Sequence, residues 1–122
     1  MTVNIFADGF EGHVQRSLDR ARRMSRGERL KPEKIVNFAN ALHLFECLSA
    51  ERVRLLLTIR SKSLSISALA IELGRNRGTV TRDVNKLREF GLIRLRERVN
   101  PGHGKVQIVE PVAQKLEMRI AI

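Results

Sequence analysis

The stretch from Ser65 to Lys105, SISALAIELGRNRGTVTRDVNKLREFGLIRLRERVNPGHGK, constrains this chain more than any other feature. Ser65 or Ser67 is placed to cap a helix whose Ile66, Leu69, Ala70 and Leu73 recur on one face. Gly74 suits the left-handed residue that closes such a helix. Arg75-Asn76 makes a turn, with Asn76 as the next cap. Val80, Val84 and Leu87 then follow at i, i+4 and i+7, predicting a helix from Arg77 to Phe90 that Gly91 stops. Leu92-Ile93 returns the chain to the core. Arg94–Val99 and Lys105–Val109 read as strands joined by the five-residue turn Asn-Pro-Gly-His-Gly.

Helix, tight turn, helix and two-stranded hairpin, in that order, are the plan of a winged helix-turn-helix. The fold class expected is therefore mainly α with a β-wing, plus short accessory strands. Upstream, Ser49 is a good N-cap for a helix over Ala50–Ser61, with Arg52 rather than an acid three residues on, so no capping box forms. Val53, Leu56, Leu57 and Arg60 follow in order along one stripe, which Leu55 and Ile59 widen, so this helix should be deeply packed. Ala41–Leu48 reads as a short helix, and Ile35, Val36 and Phe38 as a short strand. Met1–Gly12 reads as loose, with Asp8-Gly9 as a turn. Leu116, Met118 and Ile120 alternate with Glu117 and Arg119 like an edge strand. The domain organisation expected is a basic amphipathic helix and extended arm over 1–34, the DNA-binding domain over 35–111, and a strand or dimer-contact tail over 112–122.

Charge agrees with that plan. The 122 residues carry a formal net charge of +10, which points to a polyanionic partner. The excess is not spread evenly. Residues 60–105 hold 11 Lys and Arg against 4 Asp and Glu, whereas residues 35–59 and 106–122 are each balanced at 2 against 2. Residues 1–34 hold 8 against 5. The five Phe are the only aromatic rings of the Phe, Tyr and Trp class, which is little surface for stacking single-stranded bases.

With Val80, Val84 and Leu87 turned inward, the second helix of the pair presents Arg77, Thr79, Thr81, Arg82, Asn85 and Lys86. Arg and Asn can make bidentate bonds to guanine and adenine edges, and Thr offers a hydroxyl or a methyl. Arg77, Thr81, Arg82 and Asn85 are the expected base or groove contacts, with Arg75 and Asn76 at the helix entry. On the wing, Arg94, Arg96 and Arg98 alternate with Leu95, Glu97 and Val99 and so share a strand face. His103 and Lys105 join them at the turn, for phosphate contact or minor-groove insertion. Asp83 would repel phosphate, so its expected role is structural, near Lys86 or orienting Arg82 or another arginine. Glu97 is expected to pair with a basic residue across the hairpin. Gly78 is unusual inside a helix, where it costs up to about 1 kcal/mol relative to Ala.

From Glu11 to about Met24 a second basic amphipathic helix sets Val14, Leu18, Ala21 and Met24 on one stripe, with Arg16, Arg20, Arg22, Arg23 and Arg26 occupying much of the remainder. It reads as a helix docked on the core, a dimer contact, or an arm to DNA.

Other chemistries find no support in the residues. His13, His43 and His103 lie in different elements and Cys47 is the only cysteine, so no metal site is expected. His43 is expected as a packed core residue. Gly102-His103-Gly104-Lys105 lacks the spacing of a phosphate loop. No cofactor and no enzymatic activity are expected. A single cysteine and the lack of a signal-peptide or transmembrane run give a cytoplasmic expectation.

The segment from Ser65 to Ile93 is similar to bacterial and archaeal winged-helix regulators of the MarR and ArsR neighbourhood. With the upstream RGERLKPEKIVNFANALHLFECLSAERVRLLLTIR, it resembles a small family of predicted regulators often encoded beside a toxin gene. The resemblance covers roughly Arg20 to Ile120 and carries Arg82 and Asp83 into the recognition helix. It implies a double-stranded-DNA-binding repressor, an antitoxin-like role, and a cognate toxin as a second partner. A homodimer is expected because one recognition helix reads only a half-site. Two alternatives stand beside this reading: a basic RNA- or ribosome-associated module, and a scaffold for an acidic protein.

Overall fold

A computed structural model of the chain describes residues 2–102 and 104–120. The chain divides into two compact units, Leu48–Gln114 and a unit formed by Met1–Cys47 with Lys115–Ile122.

In the Leu48–Gln114 unit the caps read from the sequence are in place. Ser49 Oγ accepts from the Arg52 N–H at 3.4 Å, opening a helix over Ala50–Ser61. Ser65 Oγ accepts from the Ala68 N–H at 3.1 Å, opening the helix Ile66–Leu73. That helix ends on Gly74, whose φ of 63° is the left-handed conformation a Cβ disfavours. Asn76 Oδ1 accepts from the Gly78 N–H at 2.7 Å and opens the helix Arg77–Glu89. A Cβ at Gly78 would stand 3.1 Å from that same Oδ1. The glycine that looked costly in sequence thus leaves the cap room.

The hairpin pairs Ile93–Asn100 antiparallel with Gly104–Pro111, in a register from Ile93 opposite Pro111 to Asn100 opposite Gly104. A two-residue strand, Leu64–Ser65, pairs on the outer side of the second of these strands and makes a three-stranded sheet. The sequence did not announce it, since two residues show no periodicity.

The buried set of this unit includes Leu55, Leu56, Ile59, Leu69, Val80, Val84, Leu87, Leu92, Ile93, Ile108 and Val109. Each such side chain contributes about 1.5–3 kcal/mol relative to exposure. Leu57, expected on the buried face, is 55% exposed; the first helix turns Leu55, Leu56 and Ile59 inward instead.

The other unit departs further from expectation. Residues 2–7, read as loose, form the central strand of a three-stranded parallel sheet. Thr2–Ala7 pairs with Lys34–Asn37 on one side and with Lys115–Ile120 on the other. Val3, Ile5 and Ala7 are buried, as a central strand requires, while Asn4 and Phe6 lie on the opposite face. The C-terminal segment is an edge strand, as its alternation suggested. Gly9, at φ 76°, turns the chain from strand into the helix Gly9–Ser25. Asp8 precedes that helix without capping it, because its carboxylate is engaged by Arg16. Ala41–Cys47 is the remaining helix. His43 is not a core residue: it is exposed, with its ring edge-on to Phe38 at 5.4 Å between centroids.

Numbered in chain order, the elements are β1 (Thr2–Ala7), α1 (Gly9–Ser25), β2 (Lys34–Asn37), α2 (Ala41–Cys47), α3 (Ala50–Ser61), β3 (Leu64–Ser65), α4 (Ile66–Leu73), α5 (Arg77–Glu89), β4 (Ile93–Asn100), β5 (Gly104–Pro111) and β6 (Lys115–Ile120).

Candidate nucleic-acid interface

Helix α5 buries Val80, Asp83, Val84 and Leu87 and turns Arg77, Arg82, Asn85 and Lys86 to solvent. Thr79 and Thr81 are half-buried at the margin of that face. The Thr81 hydroxyl donates to the Arg77 carbonyl at 2.8 Å, which leaves its oxygen lone pairs and methyl for a ligand. Lys86 is loosely paired with Glu89 at 3.5 Å.

Asp83 is the buried acid on which this face depends. Its Oδ1 accepts from Arg52 Nε of α3 at 3.1 Å, and its Oδ2 from an Arg75 terminal nitrogen at 2.8 Å. Arg75 also lies 3.7 Å from Glu51. One carboxylate therefore ties α3 and the α4–α5 turn to α5. The sequence suggested Asp83 as an orienter of arginine, but its partners are Arg52 and Arg75 rather than Arg82 or Lys86. Arg75 sits with its guanidinium on this carboxylate and Asn76 with its side chain in the cap, so both are engaged in holding the turn.

On the hairpin, Arg94 Nε donates to Glu110 Oε2 at 3.1 Å, and Arg96 Nε donates to the other oxygen of the same carboxylate. Arg96 first and Arg94 second hold the Glu110 carboxyl below the usual carboxylate range. Glu97 lies 3.7 Å from Lys105 across the hairpin. Arg98 faces the same side as Arg94 and Arg96, opposite Val106. Among the described residues, Arg77, Arg82 and Arg98 have no carboxylate partner.

A cleft of about 460 Å³ runs between the start of α5 and the outer half of the hairpin. Arg77 and Thr81 line one wall, Arg98, Asn100 and Lys105 the other, and Ser65 and Ser67 at the start of α4 close it off. The structure thus brings Arg77, Thr81, Arg98 and Lys105 together. Arg82, Asn85 and Lys86 continue the exposed face of α5 outside the cleft, and Arg94 and Arg96, paired with Glu110, also lie outside it. His103 lies outside the described residues. Ser67, Asn100 and Gln107 also line the cleft; the sequence offered Ser67 only as a candidate helix cap and named none of the three as a site residue. A Ser at a helix start was the available signal for Ser67, because helix N-termini favour phosphate.

No group of three or more His, Cys, Asp and Glu side chains that could hold a metal ion occurs among the described residues. No helix among them is long and apolar enough to cross a membrane.

The sequence profile of the HVO_A0114 family matches residues 47–111, more than half of the chain and all of α3 through β5. The chain belongs to the HVO_A0114 family.

No curated protein sequence matches the chain. Among solved structures, this HVO_A0114 chain is similar to a possible transcriptional regulator from Methanosarcina mazei Go1. The TM-score there is 0.50 at 20% identity, over 57% of this chain and 62% of that one. It is also similar to a cysteine-to-serine mutant of ZitR from Lactococcus lactis in complex with DNA, with a TM-score of 0.50 at 13% identity, over 88% of this chain and 68% of that one. A homodimeric winged helix-turn-helix DNA-binding domain of Mb0332 from Mycobacterium bovis, a possible ArsR-family regulator, aligns at 20% identity with a TM-score of 0.49, over 57% and 60% of the two chains. The chain spans less than two thirds of the Methanosarcina and Mycobacterium chains it matches. At these identities the likeness is one of fold: this HVO_A0114 member has the winged helix-turn-helix architecture of transcriptional regulators.

Proposed function

We propose that this protein is a sequence-specific, double-stranded-DNA-binding transcriptional regulator of the cytoplasm, acting as a homodimeric repressor and not as an enzyme. The observation that carries this reading is the cleft between α5 and the hairpin, where Arg77 and Thr81 converge with Arg98 and Lys105. Arg77, Thr81, Arg82 and Asn85 are assigned to base edges and groove, with Thr79 and Lys86 flanking them. Arg98 and Lys105 are assigned to phosphates or the minor groove, and Arg94 and Arg96 to the backbone at the base of the wing. Arg75 and Asn76 then act mainly by fixing how α5 enters the groove. An acidic toxin is a candidate second partner by family resemblance.

Fluorescence anisotropy on the DNA upstream of its own gene, beside a scrambled duplex and across a salt series, tests the reading. Specific binding should exceed non-specific by roughly 10³ or more at physiological salt. Equal and steeply salt-dependent binding to both duplexes would leave only a basic surface, and would favour an RNA or an acidic protein as the partner.

A further inference from the structure

Helix α1 is 17 residues long and buries none of them. Its apolar side chains nonetheless fall on one stripe: Phe10, Val14, Leu18, Ala21 and Met24. Phe10 is 81% exposed, Met24 59% and Leu18 45%. The side of α1 turned to its own sheet is the polar one. Arg16 lies with its guanidinium 3.6 Å from the centre of the Phe6 ring and donates to Asn37 Oδ1 at 2.6 Å. Arg20 reaches Glu33 of the neighbouring segment at 3.6 Å. Between these side chains remains a polar cleft of about 750 Å³, so the helix is held by ion pairs and its apolar side is left in water. A helix of this composition ordinarily docks the other way round.

The charge along α1 says what covers the stripe. Glu11 stands near its N-terminal end, and Arg22 near its C-terminal end, on the same flank of the stripe. An antiparallel copy of the same helix sets acid against base at both ends at once. We infer that α1 is a self-association surface, on which a second copy of this chain lays its own α1 antiparallel about a two-fold axis. Phe10 then meets the partner's Met24, Val14 meets the partner's Ala21, Leu18 lies next to the axis, and Glu11 faces the partner's Arg22. Each contact occurs twice, as an isologous interface requires. A parallel pairing would instead place this flank of the two helices on opposite sides of the seam, so that Glu11 and Arg22 would not meet. The inference deepens the homodimer of the proposed function and rests on that part of it.

Sedimentation of the full chain over a concentration series tests this. The wild type should be a dimer. Leu18→Glu should weaken dimerisation by roughly a hundredfold or more, since two buried leucines become two buried carboxylates. As Leu18 is already half in water, that variant should keep the wild-type circular dichroism. Glu11→Arg and Arg22→Glu should each weaken the dimer several-fold, to roughly tenfold, and the double exchange should restore it. A monomeric wild type, or a dimer indifferent to both Leu18→Glu and the charge reversals, would overturn the inference. Anisotropy on a single half-site, run in parallel, reports separately on DNA. The Leu18→Glu monomer should bind it with the wild-type single-site affinity, whereas failure of every variant and of the wild type would count against the DNA reading alone.

Discussion

Two basic amphipathic helices in this chain follow the same sequence rule and do opposite things with it. In α5 the stripe of Val80, Val84 and Leu87 is buried, and Arg77, Arg82, Asn85 and Lys86 face water. In α1 nothing is buried, and Arg16 and Arg20 face the sheet. Periodicity identifies which side of a helix is apolar but does not name what that side meets. For α5 the answer lies within its own unit, between α4 and the hairpin. For α1 a second copy is inferred.

The largest effect that separates the two comes from truncating each stripe. Leu87→Ala should cost about 2–5 kcal/mol by loss of burial and the cavity left behind. Its lowering of Tm should be independent of protein concentration. Leu18→Ala should instead lower Tm by an amount that grows with concentration, because it acts on the dimer. Concentration-independent effects for both would erase the distinction.

Next comes the buried acid of α5. Asp83→Ala leaves Arg52 and Arg75 facing an empty position, and should cost roughly 3 kcal/mol by denaturant titration. An effect within about 0.5 kcal/mol, the range of ordinary surface changes, would mean the carboxylate is not what ties α3 and the turn to α5.

On DNA, Arg82→Ala should lose about 1–3 kcal/mol of discrimination between the operator and a single-base variant. Arg98→Ala should weaken all duplexes alike and lower the salt slope by about one. Arg94→Ala should lower it by less, because its guanidinium already shares Glu110 with Arg96. Identical salt slopes for Arg94→Ala and Arg98→Ala would show that pairing to Glu110 does not withhold charge from the phosphates.

The smallest effect is one of pH. The folded pKa of Glu110 is depressed, so its contribution to stability is complete above the ordinary carboxylate range and is lost as pH falls through the lower folded value. Glu110→Gln should remove that part of the acid dependence of hairpin unfolding. An unchanged acid limb in the variant would assign the dependence to other carboxylates.

Much of the residue 48–114 unit was legible in the sequence because its signals are local. Ser49, Ser65, Asn76 and Gly74 each mark a helix end within four residues of the group they satisfy. Alternation fixed both hairpin strands and the face shared by Arg94, Arg96 and Arg98. What escaped is non-local. Asp83 and Arg52 are 31 residues apart, and Glu110 reaches Arg96 only through the register of the hairpin. Strand β1 escaped for a different reason. Its TVNIFA carries a polar Asn in a central position, and its hydrogen-bonding neighbours begin at residues 34 and 115. The cations of the candidate interface could be named one by one, whereas the cleft that joins Arg77 and Thr81 to Arg98 and Lys105 required the fold.

The most direct test of the central claim, that DNA is read by α5 and the outer hairpin, is a titration of the isotope-labelled protein with its upstream duplex, followed by amide chemical shifts. The account predicts the largest changes over Arg77–Lys86 and at Arg98 and Lys105, with smaller ones at Ser65 and Ser67. Changes concentrated in α1, with α5 and the hairpin unmoved, would contradict it.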